Sequence, residues 1–430
     1  MKLITLDPGH FHAGLIQKVM YPQVSPVVSV YAPVGKDVLE HLKRIEAFNT
    51  RTENPTHWEE KVYTGPDFFE KMLSEKSGNI VVLSGKNSKK AEYIKRAVEA
   101  GLNVFADKPM CIDSKGFEML KEAFAAAEQK GVLLYDMMTE RSEITTILQK
   151  EFMQFPEVFG DLVQGTEEDP AVIKESVHHF YKNVAGKPLI RPEWFFDVQQ
   201  QGEGIVDVTT HLVDLVQWEC FPEQPLRHQS EIKVLRAKRW ATSLTLDEFS
   251  RITGAKTFPK YLLKDEQGKN LEMYSNGEIH YTIRGVHTKI SVTWNFQAPE
   301  GGGDTHFSVI RGSKSNIIIQ QGEQERYRPE LYIEASTPEK REDVGVSIAR
   351  TITQLQPRYP DLALEKEGNR WHVIISDKYR VGHEGHFGEV TERYLRYLRE
   401  GQLPPWEVPN MIAKYYTIIT AYEMAHRENR

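Results

Sequence analysis

The chain has 430 residues, 40% of them hydrophobic and 27% charged, with a formal charge of −7 and a pI near 6.1, a soluble-enzyme profile with length for at least two domains. That acidic balance argues against an extended phosphate-neutralising surface, so no nucleic-acid partner is expected. Cys111 and Cys220 make neither a disulfide framework nor a thiolate metal cluster, no segment approaches the roughly 18 apolar residues of a membrane span, and the N-terminus lacks a signal-peptide core; a cytoplasmic protein without membrane association is expected.

Residues 1–141 alternate strand and helix signals. Leu3–Leu6 reads as a buried strand, then a glycine-containing turn and a helical stretch over Ala13–Met20. Val27–Tyr31, Ile80–Leu83, Val104–Ala106 and Val132–Tyr135 read as strands. Asp37–Glu46, Lys89–Ala100 (ending at Gly101) and Lys115–Lys130 read as helices. Strands separated by helices imply parallel pairing and right-handed crossovers, hence a doubly wound sheet whose ligands sit at the carboxyl ends of its strands.

The pattern then changes. Glu143–Phe152 and residues 205–220 read as helices, and β-rich runs follow at Glu231–Leu235, Glu278–Ile283, Lys289–Phe296, Phe307–Arg311 and Asn316–Gln320. Strands without intervening helices point to a largely antiparallel sheet. Residues 323–380 are charged and irregular, a possible insertion. Gly388–Glu400 is helical and stopped by Gly401, and Asn410 is placed to cap a helix over Met411–Arg427. The expected fold is α/β: a doubly wound parallel sheet over 1–141, then an α+β domain with a largely antiparallel open sheet over 142–430.

Three short segments carry chemistry. The turn Leu6-Asp7-Pro8-Gly9-His10-Phe11-His12-Ala13-Gly14 lies where such a sheet cradles a pyrophosphate, but its G-x-G-x-x-G spacing is unmet: Asp7 holds the first position and His12 the last. The second strand offers no carboxylate at its tip and Asp37 comes a few residues late, leaving NAD and NADP both open. Asp107-Lys108-Pro109 follows a strand, where an ammonium can face the ligand side of the sheet and the proline fixes the backbone's exit. Lastly, Asp207, His211 and Asp214 fall at i, i+4 and i+7 within an apolar helix, a polar stripe that needs partners or a wet cleft. A histidine there suits a base that removes a hydroxyl proton as hydride leaves carbon. The alternative is a core histidine satisfied by Asp214, with Asp207 as a cap.

Ile80–Asn87 through Ala97–Pro109, the element Gly202–Asp214 and the C-terminal stretch Phe387–Arg427 together resemble the Gfo/Idh/MocA oxidoreductase family, over nearly the whole chain. The resemblance implies a Rossmann-like first domain that takes NAD or NADP. It makes Lys108 the motif lysine near the nicotinamide, His211 the acid/base and Asp207 the carboxylate beside the substrate. Gly9, His10, Phe11, His12, Ser84, Asn87 and Asp107 join Lys108 as candidate cofactor contacts. A homo-oligomer, dimer or tetramer, follows from the family's use of its open sheet. Three departures stand out: the degraded glycine turn, Asp107 where the family has Glu, and Lys89 and Lys90 where members often have histidine.

The implied substrate is a carbohydrate. Arg191 could bind hydroxyls or a carboxylate, Trp194 could stack on a sugar face, and His179 of the pair His178-His179 could line the cleft with Lys182 nearby; packed aromatics and surface histidines are the bland alternatives. Asp304-Thr305-His306 and His383-Glu384-Gly385-His386 lack thiolates, so no metal site is expected, and His386 suits substrate contact better. The leading function is hydride transfer between a sugar, polyol or glycoside hydroxyl carbon and nicotinamide. Two alternatives remain: a redox-neutral glycosidase or lyase reaction through a transient keto-sugar, and a non-catalytic sugar or nucleotide sensor.

Overall fold

The structure, a computed structural model, describes residues 1–184, 187–263 and 269–427. The chain forms two compact units: Met1–Thr139 with Gln199–Gly202 and Gly382–Tyr415, and Glu140–Val198 with Glu203–Val381 and the chain from Tyr416 onward.

The first unit runs β1 (Leu3–Leu6), α1 (His12–Leu15), β2 (Val27–Ala32), α2 (Lys36–Thr50), β3 (Glu59–Thr64), α3 (Phe68–Glu75), β4 (Ile80–Leu83), α4 (Lys90–Glu99), β5 (Asn103–Ala106), α5 (Ser114–Lys130) and β6 (Leu134–Asp136). Its six strands lie in the order β3-β2-β1-β4-β5-β6, all parallel. Every residue of β1 and β4 is buried, as continuous apolar runs covered on both faces require. The strand order reverses between β1 and β4, which sets the carboxyl ends of these two strands, and of β5 beside them, at the ligand-binding edge of the sheet.

Two local expectations change here. The helix expected over Ala13–Met20 is a single turn, His12–Leu15. Beyond it the amides of Gln17 and Lys18 bond three residues back, to Gly14 and Leu15, while Trp58 Nε1 and Arg51 Nη2 capture the carbonyls of Gln17 and Lys18. Those carbonyls are then lost to an α-helical ladder. β3, Glu-Glu-Lys-Val-Tyr-Thr, gives no apolar signal because it is the edge strand and mostly solvent-exposed.

Two long helices complete the chain, and their register in it differs from expectation. The first (Gly382–Glu400) stacks Tyr394 on Phe105, ring centroids 4.5 Å apart. The second (Glu407–Arg427) begins before Asn410, which is buried inside it and so is not its cap. Its Lys414 pairs with Asp136 at 2.6 Å, both side chains buried. Residues 382–415 therefore pack with the parallel sheet rather than with the second domain in which they were expected.

The second unit is built on a nine-stranded sheet. After α6 (Ile144–Met153) come β7 (Val172–Tyr181), the short pair β8 (Asn183–Val184) and β9 (Lys187–Pro188), α7 (Val198–Gln201), α8 (Thr209–Cys220) and α9 (His228–Glu231). Then follow β10 (Ile232–Leu244), α10 (Leu246–Thr253), β11 (Leu271–Ile283), β12 (Val286–Gln297), β13 (Thr305–Arg311), β14 (Ser315–Gln321), β15 (Glu330–Ala335), α11 (Arg341–Leu355), β16 (Ala363–Glu367) and β17 (Arg370–Ile374). The order is β10-β11-β12-β7-β13-β14-β15-β17-β16, antiparallel except where β12 meets β7. Residues 323–380 are thus no loose insertion: β15, β17 and β16 form one margin of this sheet. Their charges misled because β16, Ala-Leu-Glu-Lys-Glu, is an exposed edge.

The glycines before α8 are set by a close approach. The Gly204 amide donates to the Tyr274 carbonyl at 2.9 Å, and a Cβ on Gly204 would lie 1.7 Å from the Ser275 carbonyl oxygen. Backbone cannot yield as a flexible side chain would, so Gly204→Ala is expected to cost about 3 kcal/mol, the upper range for overpacking. Urea unfolding of the variant checks this; a loss under ~0.5 kcal/mol would contradict the packing described.

Candidate active site

In the first unit the site is built where β1, β4 and β5 end. Leu6 pairs with Leu83 and Leu83 with Ala106, so the three segments that follow leave the sheet side by side. The turn after β1 is pinned at once: the amides of Gly9 and His10 both donate to the Ser84 carbonyl at 3.2 Å. Asp7 sits at φ 46°, and Gly85 is glycine because its Cβ would meet the Asp7 carbonyl oxygen at 2.3 Å. Amides that a glycine-rich turn would aim at a phosphate are here engaged within the protein.

Asp107 is the centre of this end of the sheet. Its buried Oδ2 accepts from His12 Nδ1 at 2.8 Å and from Ser84 Oγ at 2.9 Å, and lies 3.8 Å from His10 Nδ1. Its backbone carbonyl accepts from the buried ammonium of Lys90 at 2.9 Å. Burial alone would raise this carboxyl, but the His12 imidazole, Lys90 and His10 hold it well below 3.8. The His10 imidazole is pushed well below 6.5, first by burial and then by its neighbour His12. Lys108 is half-buried and close enough for its charge to act on His10. Asn87 donates from Nδ2 to the Gln201 carbonyl at 2.7 Å, its amide donates to Gln200, and its Oδ1 is a buried acceptor without a partner. Phe11 packs its ring on His10 and His12. The sequence singles out Lys90 only together with Lys89, as lysines where the family often has histidine; burial separates the two.

In the second unit Asp207 lies in the turn ahead of α8, its amide bonded to the Glu203 carbonyl at 3.1 Å, and His211 lies in the first turn of the helix. Both oxygens of Asp214 accept from Arg141, at 2.6 and 2.7 Å, with both side chains buried. The expected stripe is therefore divided. Arg191 lies over the rings of Phe195 and Trp294, donates to the carbonyls of Phe180 and His179, and falls to a pKa of about 10 through burial, partly offset by Asp304 and Asp207. Trp194, expected to stack on a sugar, is 6% exposed within the turn Glu193–Phe196, a packed position.

Asp304, noted in the sequence only beside His306, is the hub of this region. It accepts from His179 Nδ1 at 3.0 Å and Lys182 Nζ at 2.6 Å, and lies 3.5 Å from His178 Nδ1. Burial would raise its carboxyl, yet His178 and Lys182 hold it well below the usual range. His306 instead meets Ser176 at 2.9 Å.

Residues 35–137 match a GFO/IDH/MocA family described as an oxidoreductase family with an NAD-binding Rossmann fold, and residues 148–426 match a "Putative oxidoreductase C terminal domain". The chain is 56% identical to a crystal structure of a "putative oxidoreductase" from Parabacteroides merdae, over 99% of this chain and 98% of that one, with a TM-score of 0.97. It shares its fold with levoglucosan dehydrogenase in complex with NADH and levoglucosan, at 13% identity and TM-score 0.61 over 99% and 98% of the two chains. The fold is shared too with GenD2 from gentamicin A biosynthesis in complex with NAD, at 15% identity and TM-score 0.59 over 100% and 95%. No curated protein matches the sequence. Among the described residues no helix is long and apolar enough to cross a membrane.

Two stability effects follow from these ion pairs. Removing the acid of the buried Arg141 pair, Asp214→Ala, should cost about 3–5 kcal/mol in denaturant unfolding, and a cost below ~1 kcal/mol would contradict the pairing. Asp304 has a folded pKa below its unfolded 3.8, so its stabilisation is complete above that value and lost as pH falls through the lowered one. The melting temperature of Asp304→Asn should lie below wild type near neutral pH, and the gap should close under acid conditions; a gap independent of pH would refute the carboxylate's role.

Proposed function

The chain belongs to the GFO/IDH/MocA oxidoreductase family, and on that footing we propose that it transfers hydride between a hydroxyl carbon of a sugar, polyol or glycoside and NAD. The observation that carries the reading is the strand-end set of the first unit: Ser84, Asn87, Asp107 and Lys108 leave adjacent strands together, and Asn87 Oδ1 is buried without a partner. That orphaned acceptor fits a hydroxyl or carboxamide donor of the cofactor. The Gly9 and His10 amides already serve Ser84, so the pyrophosphate would be held differently from the way glycine amides hold it. The dehydrogenase and GenD2 structures that share this fold hold NADH and NAD.

Bound nicotinamide would supply the hydride acceptor. The remaining work falls to this chain's residues. In this reading His211 takes the hydroxyl proton as the C–H bond breaks, and returns it in the reverse direction. Asp207 accepts a hydrogen bond from a substrate hydroxyl and fixes which carbon is presented. Lys108 supplies a positive charge that steadies the alkoxide developing on oxygen. Arg191 and His179 are committed to backbone carbonyls or to Asp304, and they hold their part of the second unit in shape.

The test is NADH formation from NAD across a panel of sugars, polyols and glycosides, including anhydrosugars, with product analysis. Lys108→Ala and His211→Ala should each lower kcat/KM by at least ~100-fold with unchanged melting temperature. Near wild-type turnover in both variants would remove the assignment. Sugar release without net NADH would replace the dehydrogenase with the redox-neutral reaction.

A further inference from the structure

We propose that His10, His12 and Asp107 form a binding site for one divalent first-row transition cation at the end of the parallel sheet. One ring nitrogen from each imidazole and one carboxylate oxygen lie within 4.8 Å of one another. Ligand atoms about 2.0–2.2 Å from a metal stand roughly 3–3.4 Å apart. The observed separations from Asp107 Oδ2, 2.8 Å to His12 Nδ1 and 3.8 Å to His10 Nδ1, bracket that range, and the third, between the two imidazoles, lies within 4.8 Å, so side-chain rotations that draw the two rings together would seat the ion.

A cation would displace two present contacts: His10 Nδ1 accepts from the His12 amide at 3.4 Å, and His12 Nδ1 meets Asp107 Oδ2 at 2.8 Å. Position is fixed before any ion arrives. Gly9 and His10 are tied to the Ser84 carbonyl, and the His12 ring is packed by Phe387 at 4.5 Å and His383 at 5.2 Å between centroids. Two imidazoles and one carboxylate are the donor set of zinc, cobalt, manganese and ferrous sites. Three protein ligands leave coordination positions open, and the His10 side chain, 19% exposed, marks the side on which they would face solvent.

This site explains a substitution that the fold alone does not. The fingerprint glycine is replaced by His12, whose side chain is buried against an acid, at the place where a dinucleotide-binding turn supplies partial positive charge. A dication restores positive charge there. The assignment replaces the expectation of no metal that was drawn from the other histidine clusters.

The experiment uses the full chain without an affinity tag, stripped with chelator and dialysed, and it omits NAD, so its result is separable from the dehydrogenase reading. Titration with Zn2+ by calorimetry and with Co2+ by visible absorption should give one equivalent bound, with Co2+ bands of low-symmetry coordination. Asp107→Asn, His12→Ala and the milder His10→Asn, each checked for folding by circular dichroism, should bind at least tenfold more weakly and lose the Co2+ bands. No saturable equivalent on the wild type, or unchanged binding in folded His10→Asn, would overturn the site.

Discussion

One buried carboxylate organises the ligand-binding end of the parallel sheet. An ionised acid removed from water costs several kcal/mol unless hydrogen bonds and opposite charge answer it. At Asp107 they come from three separate segments: His12 after β1, Ser84 after β4 and Lys90 at the start of α4. The acid therefore does what glycines do elsewhere: it fixes where the first turn goes. With that tether in place the turn carries Asp7 and His12 where glycines would otherwise stand, with His10 between them.

The second unit spends its charges differently. One acid lies ahead of helix α8, Asp207, and one within it, Asp214, on either side of His211 in the chain. Asp214 is held bidentately by Arg141, which leaves Asp207 and His211 as the catalytic candidates. A second set, Arg191, His178, His179 and Lys182, is arranged around Asp304 at the ends of β7 and the loop before β13. Arg191, over two aromatic rings, shows how a cation can be a packing element: its carbon lies against the ring faces while its nitrogens donate to carbonyls.

Much of this was legible in the sequence, for identifiable reasons. Ile80–Leu83 and Leu3–Leu6 were readable because a parallel strand buried on both faces is an unbroken apolar run. Lys108 and Asp107 were readable because a strand end in such a sheet is where ligands lie. Edges were not: β3 and β16 are mostly charged, since only one side of each pairs and solvent takes the rest. Nor was the length of α1, which is decided by Trp58 and Arg51, side chains more than thirty residues away. The Arg141 partner of Asp214 could not be read from helical spacing, because it lies 73 residues earlier in the chain. His10 and His12 could have been weighed as metal ligands beside Asp107; the signal was two histidines at i and i+2 in a turn that normally tolerates only small residues.

In the proposed function the carboxyl ends of β1, β4 and β5 hold the dinucleotide despite the altered turn. A crystal structure of the full chain grown with NADH addresses it most directly. The account predicts density for the dinucleotide along those strand ends, with a cofactor donor on Asn87 Oδ1 and the His12–Asp107 contact retained or bridged by a metal. A dinucleotide bound elsewhere, or clear strand ends at saturating NADH, would contradict it.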